Sequence, residues 1–300
     1  MIVLALLLVN PLFAAESRSP QIASVAWGND AYVTASQLRQ NLKPNNLFLR
    51  SSAAVVYDLR DGQVLFERDA DEQRPVASLT KLMTAMVVLD AKLPMDEVIT
   101  ILRKDRDRLR GSKSRLAYGS KLTRRDLLLI SLAASENRAA AALARTYPGG
   151  KSAFVTAMNA KAGVLRLRDT HFADSTGLDD ENVSTARDLV RLMGAASEYP
   201  LITEMSTSGK NFVTDLRKGW KVEFFNTNRL VRRRSWDVDL SKTGYIAASG
   251  YCLVMHLTIE GRPLAVVLLN SWGKDSKFGD SGRIKRWLMR AEKRRKSIQL

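Results

Sequence analysis

Ser78-Leu79-Thr80-Lys81 heads an apolar run, Leu82, Met83, Ala85, Met86, Val88 and Leu89, whose spacing predicts a helix from Ser78 to about Ala91. The extended approach Arg74-Pro75-Val76-Ala77 precedes it. A serine and a lysine three apart lie on one helix face, within side-chain reach of each other. A hydroxyl is a poor nucleophile until a base takes its proton. An amine can take it only when desolvation or neighbouring positive charge lowers its pKa. Leu79, Leu82 and Met83 supply the apolar surroundings, so Lys81 reads as the base and Ser78 as the nucleophile. Backbone N–H groups at the helix start would face a developing oxyanion. Taken alone, the motif reads as readily as a serine cap with a solvated lysine; the apolar flanks and the two partner motifs that follow turn it towards catalysis.

Two further triplets follow in order. Ser135-Glu136-Asn137 falls between two predicted helices, Arg124 to about Ala134 behind Thr123-Arg124-Arg125-Asp126, and Asn137 to Arg145. A hydroxyl there can pass a proton to a departing amine, and an Asn amide can both donate to and accept from a peptide. Ser135 and Glu136 also read as an ordinary helix cap, which is compatible with catalysis. Lys242-Thr243-Gly244 closes a predicted strand in which Trp236, Val238 and Leu240 alternate with Asp237, Asp239 and Ser241. An edge strand ending in a cation, a hydroxyl and a glycine suits an extended, carboxylate-bearing substrate, although by itself the triplet reads as a glycine turn with a solvated lysine. Gly244 admits close backbone approach, and Tyr245 offers its backbone N–H to the site.

In this order the motifs are the S-x-x-K, S-x-N and K-T-G set of penicillin-recognising acyl-serine enzymes. From about Ala53 to about Lys293 the chain resembles the low-molecular-mass penicillin-binding proteins, and among them the D-alanyl-D-alanine endopeptidase type. The likeness extends to Pro75 through Met86, Ser135 through Ala141, Asn182-Val183-Ser184-Thr185-Ala186-Arg187-Asp188-Leu189 and Asn226-Thr227-Asn228. It implies Ser78 as acylated nucleophile, Lys81 as base, Ser135 and Asn137 as proton relay and substrate contact, and Lys242 and Thr243 as carboxylate anchors. The N–H groups of Ser78 and Tyr245 would form the oxyanion hole. The implied reaction is hydrolysis of D-alanyl–diaminopimelyl cross-links in peptidoglycan, with β-lactams as acylating inhibitors and no cofactor. D-alanyl-D-alanine carboxypeptidase activity is the near alternative, because the motifs are common to both. In that comparison the polar segments Ser135–Arg138 and Phe225–Arg229 are expected to recognise the second peptide stem. A class A β-lactamase would need a Glu-x-x-x-Asn between the second and third motifs, and Phe172 to Asn182 lacks it. Intact Ser78, Lys81, Ser135 and Lys242 count against a non-catalytic wall-binding module.

Strands near both ends of the sequence with helices between them predict an α+β domain. Its antiparallel sheet joins N- and C-terminal segments and is flanked by helices, in accord with the penicillin-binding/β-lactamase-like transpeptidase fold. Residues 1–15, with an apolar stretch from Ile2 to Val9 and Ala14-Ala15 after it, read as a secretory signal too short to span a bilayer, although no cation precedes the run. Residues 16–50 read as a polar linker, and 51–300 as the catalytic domain, exported to the periplasm. The net charge of +16 calls for an anionic partner. The cations are dispersed and no nucleic-acid motif is present, so acidic glycan-peptide polymer fits better. The densest basic cluster, Arg283 to Lys296, carries an apolar stripe of Ile284, Trp287, Leu288 and Ala291, expected to pack on the sheet in preference to anchoring peripherally on a membrane. Cys252, the single cysteine, excludes an intrachain disulfide, and His171 and His256 stand in no metal-binding spacing.

Overall fold

The computed structural model describes residues 33–298, so the expected signal at 1–15 and the first part of the expected linker lie outside the described residues. In chain order, α1 (Ala35–Asn41) precedes the hairpin β1 (Ser51–Asp58) and β2 (Gln63–Arg68). A short strand β3 (Arg74–Pro75) and a 3-10 turn (Ala77–Thr80) lead into α2 (Lys81–Asp90). Strands β4 (Val98–Thr100) and β5 (Lys121–Thr123) pair ahead of α3 (Arg124–Ala133), α4 (Asn137–Arg145) and α5 (Gly150–Val164). Strand β6 (Val183–Ser184) pairs with β3 and precedes α6 (Ala186–Ser197) and α7 (Pro200–Thr207). The hairpin β7 (Lys210–Asp215) and β8 (Trp220–Phe225) is followed by β9 (Asp237–Ile246), β10 (Gly250–Ile259), β11 (Arg262–Ser271) and α8 (Ser276–Ile298).

The main sheet has five strands in the order β2-β1-β11-β10-β9, all antiparallel. Val55 of β1 faces Val267 of β11, so the first and last strands of the domain are neighbours, as the sequence predicts. Both faces of this sheet are covered. Val55, Val254, Ala265 and Val267 point into a helical layer built on α2, whereas Ala54, Val56, Met255 and Val266 point towards α1 and α8. A strand buried on both sides loses its polar alternation, which accounts for continuous runs such as Ala53-Ala54-Val55-Val56. Helix α2 is buried all round from Lys81 to Val88, the position in which a helix has no polar face.

Residues 33–50 depart from the expected linker. Thr34 caps α1 in a reciprocal capping box with Gln37, and Leu38, Leu42, Leu47 and Leu49 are buried in the same cluster as Ile284, Trp287, Leu288 and Ala291 of α8. Four leucines spaced through a polar stretch are too sparse to show periodicity, but together they close one side of the core. Trp287 Nε1 donates to Lys43 O at 3.0 Å. The α8 stripe is therefore covered by protein, as the packing expectation required, and is not free to anchor on a membrane. No helix among the described residues is long and apolar enough to cross a membrane.

Candidate active site

The serine of the first motif lies in the 3-10 turn and not in α2, which begins only at Lys81. In a 3-10 turn residues i and i+3 eclipse each other, so the tighter winding sets Lys81 directly over Ser78. Lys81 Nζ lies 2.8 Å from Ser78 Oγ, 2.8 Å from Asn137 Oδ1 and 2.5 Å from Thr176 O. Lys81 is fully buried. Burial pushes its ammonium down to about 8, against the opposing pull of Asp174, Glu136 and Asp107. The two carbonyl oxygens can only accept. A neutral amine has two N–H groups, and when both are engaged by Asn137 and Thr176 its lone pair is left facing Ser78, the one neighbour with a proton to give.

The second and third motifs meet on the other side of the serine. Ser135 ends the α3–α4 junction in a left-handed conformation, φ +59°, uncommon for a residue with a Cβ. The turn is held by Glu136 N–H donating to Ile130 O at 3.1 Å, while the Glu136 side chain caps α4 by accepting from Arg138 N–H at 3.2 Å. Lys242 Nζ donates to Ser135 Oγ at 2.9 Å and to Thr243 O at 3.0 Å. Lys242 is also buried, and desolvation, with the charge of nearby Lys81, pushes it well below the ordinary lysine value. Strand β9 is the sheet edge, as expected, but it runs three residues past Thr243 to Ile246, which pairs with Gly250, so the triplet lies inside the strand and does not end it. Gly244 packs on the serine's own backbone: a Cβ there would stand 2.9 Å from Val76 O and 3.1 Å from Ser78 N. Tyr245 follows with its ring stacked on Tyr251 at 4.2 Å.

All eight residues singled out in the sequence, Ser78, Lys81, Ser135, Asn137, Lys242, Thr243, Gly244 and Tyr245, thus come from three separated segments that converge on one place. Two chemical assemblies result: a serine facing a buried amine, and a second serine facing a second buried amine. Such an arrangement can deprotonate an attacking hydroxyl at one side and protonate a departing amine at the other.

A family model described as D-alanyl-D-alanine carboxypeptidase matches residues 40–273. The chain belongs to this family. It is 48% identical over 240 residues to a D-alanyl-D-alanine endopeptidase of Pseudomonas aeruginosa and 44% identical over 240 residues to one of Escherichia coli, covering 80% of this chain and 77% of each relative. Among solved structures, a Streptomyces DD-transpeptidase superposes with a TM-score of 0.74 at 28% identity, covering 81% of this chain and 98% of that one. A penicillin-binding protein of Listeria monocytogenes with ampicillin bound gives 0.70 at 29% identity, over the same shares of the two chains.

Within this DD-peptidase frame, several contributors escaped the sequence reading. Thr176 supplies the second carbonyl on Lys81, and Ser112 Oγ accepts from Asn137 Nδ2 at 2.9 Å, fixing which way that amide faces. Gly177, at φ +77°, presses on the serine turn so closely that a Cβ would overlap Ala77 O at 1.9 Å. The signal was present in Asp174-Ser175-Thr176-Gly177, a turn sequence in which Asp174 accepts from Thr176 N–H at 3.1 Å and Gly177 N–H at 2.7 Å. In the opposite sense, two expected substrate contacts are structural. Asn226 is buried and donates to Ser206 O at 2.8 Å, and Asn228 is buried and donates to Ser241 Oγ at 2.7 Å. Of that segment Thr227 is joined to the site, accepting from Thr243 Oγ1 at 2.6 Å.

Proposed function

We propose that the protein is a peptidoglycan DD-endopeptidase that opens D-alanyl–diaminopimelyl cross-links through an acyl-enzyme on Ser78. The observation that carries the chemistry is the buried Lys81 amine, 2.8 Å from Ser78 Oγ with its other two directions taken by carbonyl oxygens. Lys81 removes the hydroxyl proton as Ser78 attacks the D-alanyl carbonyl. The resulting oxyanion is held by the backbone N–H groups of Ser78 and Tyr245. Ser135, bonded to Lys242, delivers a proton to the departing amine, and Asn137 holds the substrate amide. Lys242 and Thr243 bind a carboxylate beside the scissile bond. Water then releases the D-alanyl product by the reverse proton route.

Endopeptidase is favoured over carboxypeptidase by the 48% and 44% identity to relatives carrying that name, against 30–33% for three carboxypeptidase relatives of Escherichia coli and Bacillus subtilis. A β-lactamase reading lacks a water-activating carboxylate. Asp174 is occupied by backbone N–H groups and by Asn182 Nδ2 at 2.8 Å, and Glu181 is exposed to solvent. The wall substrate goes with export to the periplasm. The test offers amide-cross-linked muropeptide dimers and monomeric pentapeptide to the purified protein and identifies products by mass spectrometry. Dimers should be cut with little release of terminal D-alanine. Fast pentapeptide trimming with intact dimers would reverse the assignment while leaving the Ser78 chemistry in place.

The pH dependence follows from the same amine. Lys81 must be neutral to accept a proton, and burial places its pKa at about 8. The acylation rate should therefore fall by about tenfold per pH unit below about 8 and level off above it. Stopped-time labelling with fluorescent penicillin between pH 5.5 and pH 9.5 measures this, at about those limits chosen to stay clear of unfolding. A flat profile would mean that Lys81 is not the titrating base.

A further inference from the structure

Beside the reactive centre opens a cleft of about 380 Å³ whose inner wall includes Asn137 and Thr176, the two residues whose carbonyl oxygens hold Lys81. Its outer wall is the loop that joins β4 to β5. Between Arg103 and Arg115 this loop has seven cations and two carboxylates, and the two classes face opposite ways. Asp105 is buried against Arg145, with Nε–Oδ1 at 2.7 Å, and also accepts from Leu102 N–H at 2.8 Å. Asp107 accepts from the backbone N–H groups of Leu109, Arg110 and Ser112 at 2.7–2.9 Å. The third carboxylate on the cleft, Asp174, is held by the Thr176–Gly177 turn and Asn182.

The acids are thus already engaged within the protein, whereas among the described residues the side chains of Lys104, Arg106 and Arg108 make no hydrogen bond or ion pair, and Lys151 donates only to Lys104 O at 3.0 Å. Lys104, Arg106, Arg108 and Lys151 line the same cleft and are solvent-exposed. Among the described residues no ion pair joins Arg106 or Arg108 to a carboxylate. The loop is not a loose basic tail, because Ser112 is hydrogen-bonded to Asn137 and Arg110 Nε donates to Leu178 O at 2.6 Å. A rigid cationic wall contiguous with an acylation centre is a receptor for a negatively charged part of the substrate. Guanidinium groups suit carboxylates in particular because they can bind both oxygens at once. A cleft of this volume fits a few residues of peptide.

We infer that this cleft is a carboxylate-reading subsite for the acidic residues of the stem peptide, with Arg106 and Arg108 as specificity-determining contacts. The inference rests on the cross-link-cleaving reading for the identity of the peptide, whose D-glutamyl and diaminopimelyl residues carry free carboxylates unless amidated. The cleft discriminates by charge: acid stems are held, and amidated stems lose the contact together with its long-range attraction.

The test is competition, so that it does not depend on turnover. Soluble tetrapeptide stems with either free or amidated D-glutamyl and diaminopimelyl carboxylates are used to protect Ser78 from fluorescent penicillin. In the wild-type protein the free-acid stem should protect at about tenfold lower concentration than the amidated one, and the ratio should shrink as salt is raised. In the double variant Arg106→Gln/Arg108→Gln the two stems should protect to within about twofold of each other, and Arg106→Lys/Arg108→Lys should restore part of the preference. Both positions are exposed, so thermal melting should be unchanged to within a few degrees. Equal protection by both stems in the wild type, or an undiminished preference in the Gln variant, would overturn the inference. Failure of the endopeptidase reading is seen separately, as uncut dimers in a protein that still prefers the acidic stem.

Discussion

Removing the Lys81 amine should be almost as damaging as removing the Ser78 hydroxyl. Ser78→Ala should abolish covalent labelling by fluorescent penicillin, and Lys81→Met should slow it by about 10²- to 10⁴-fold, the contribution expected of a positioned general base. Methionine is the informative replacement because it keeps the buried stem of the side chain, whereas alanine would also open a cavity in α2. Two acceptors, Asn137 Oδ1 and Thr176 O, lose a donor in the variant. Each buried acceptor left unpaired costs about 1–3 kcal/mol, offset in part because a desolvated amine is no longer held in the interior. A melting curve read beside the labelling rate separates that loss from catalysis. A folded Lys81→Met protein that labels within tenfold of wild type would remove Lys81 from the mechanism and leave Lys242 as the remaining buried amine of the site.

The parts of this site that were legible in the sequence are those in which one residue type has one chemical use. A serine three before a lysine, flanked by apolar side chains and followed in order by S-x-N and K-T-G, reads as a nucleophile and a base whether the turn is α or 3-10, and both partner motifs lie next to the helix and strand that periodicity predicts. What stayed hidden is what backbone supplies. The Thr176 carbonyl on Lys81, the left-handed Ser135 and the extension of β9 beyond Gly244 are main-chain properties fixed by tertiary contacts, and any side chain could sit above such a carbonyl. The polar segment Asn226–Asn228 was misread for a related reason. Buried amides that satisfy loop backbone and exposed amides that meet a ligand have the same composition, and only burial tells them apart. Residues 33–50 show the same limit at the level of the fold, since the cluster that buries Leu38 and Leu42 is completed by the α8 residues Ile284, Trp287, Leu288 and Ala291, which return from the far end of the chain.

Gly177 gives the second large effect, at a position with no reactive group. It runs beneath the serine turn at φ +77°, and a Cβ would lie 1.9 Å from Ala77 O, 2.3 Å from Ala77 C and 2.9 Å from Ser78 N. These are main-chain atoms, so the overlap can be relieved only if the Ala77–Ser78 backbone or the Asp174–Leu178 turn moves. The turn cannot move alone, because Thr176 O holds Lys81 and Ser175 O accepts from Thr84 Oγ1 at 2.7 Å in α2. Gly177→Ala should therefore displace serine and amine relative to each other, and a misplacement of about 1 Å can lower the rate by about 100-fold. Left-handed strain adds to this in stability, about 1 kcal/mol for a Cβ at positive φ. Gly261, in the β10–β11 turn at φ +71° with open space where its Cβ would go, isolates that strain. Gly261→Ala should lose a similar increment of stability with labelling unchanged, while Gly177→Ala loses both. Gly244→Ala, which has no positive φ but would press on Val76 O and Ser78 N, should slow acylation with less loss of stability than Gly177→Ala. Wild-type labelling by Gly177→Ala would show that the serine turn is positioned by α2 alone, and that the approach of the Asp174–Leu178 turn is incidental packing.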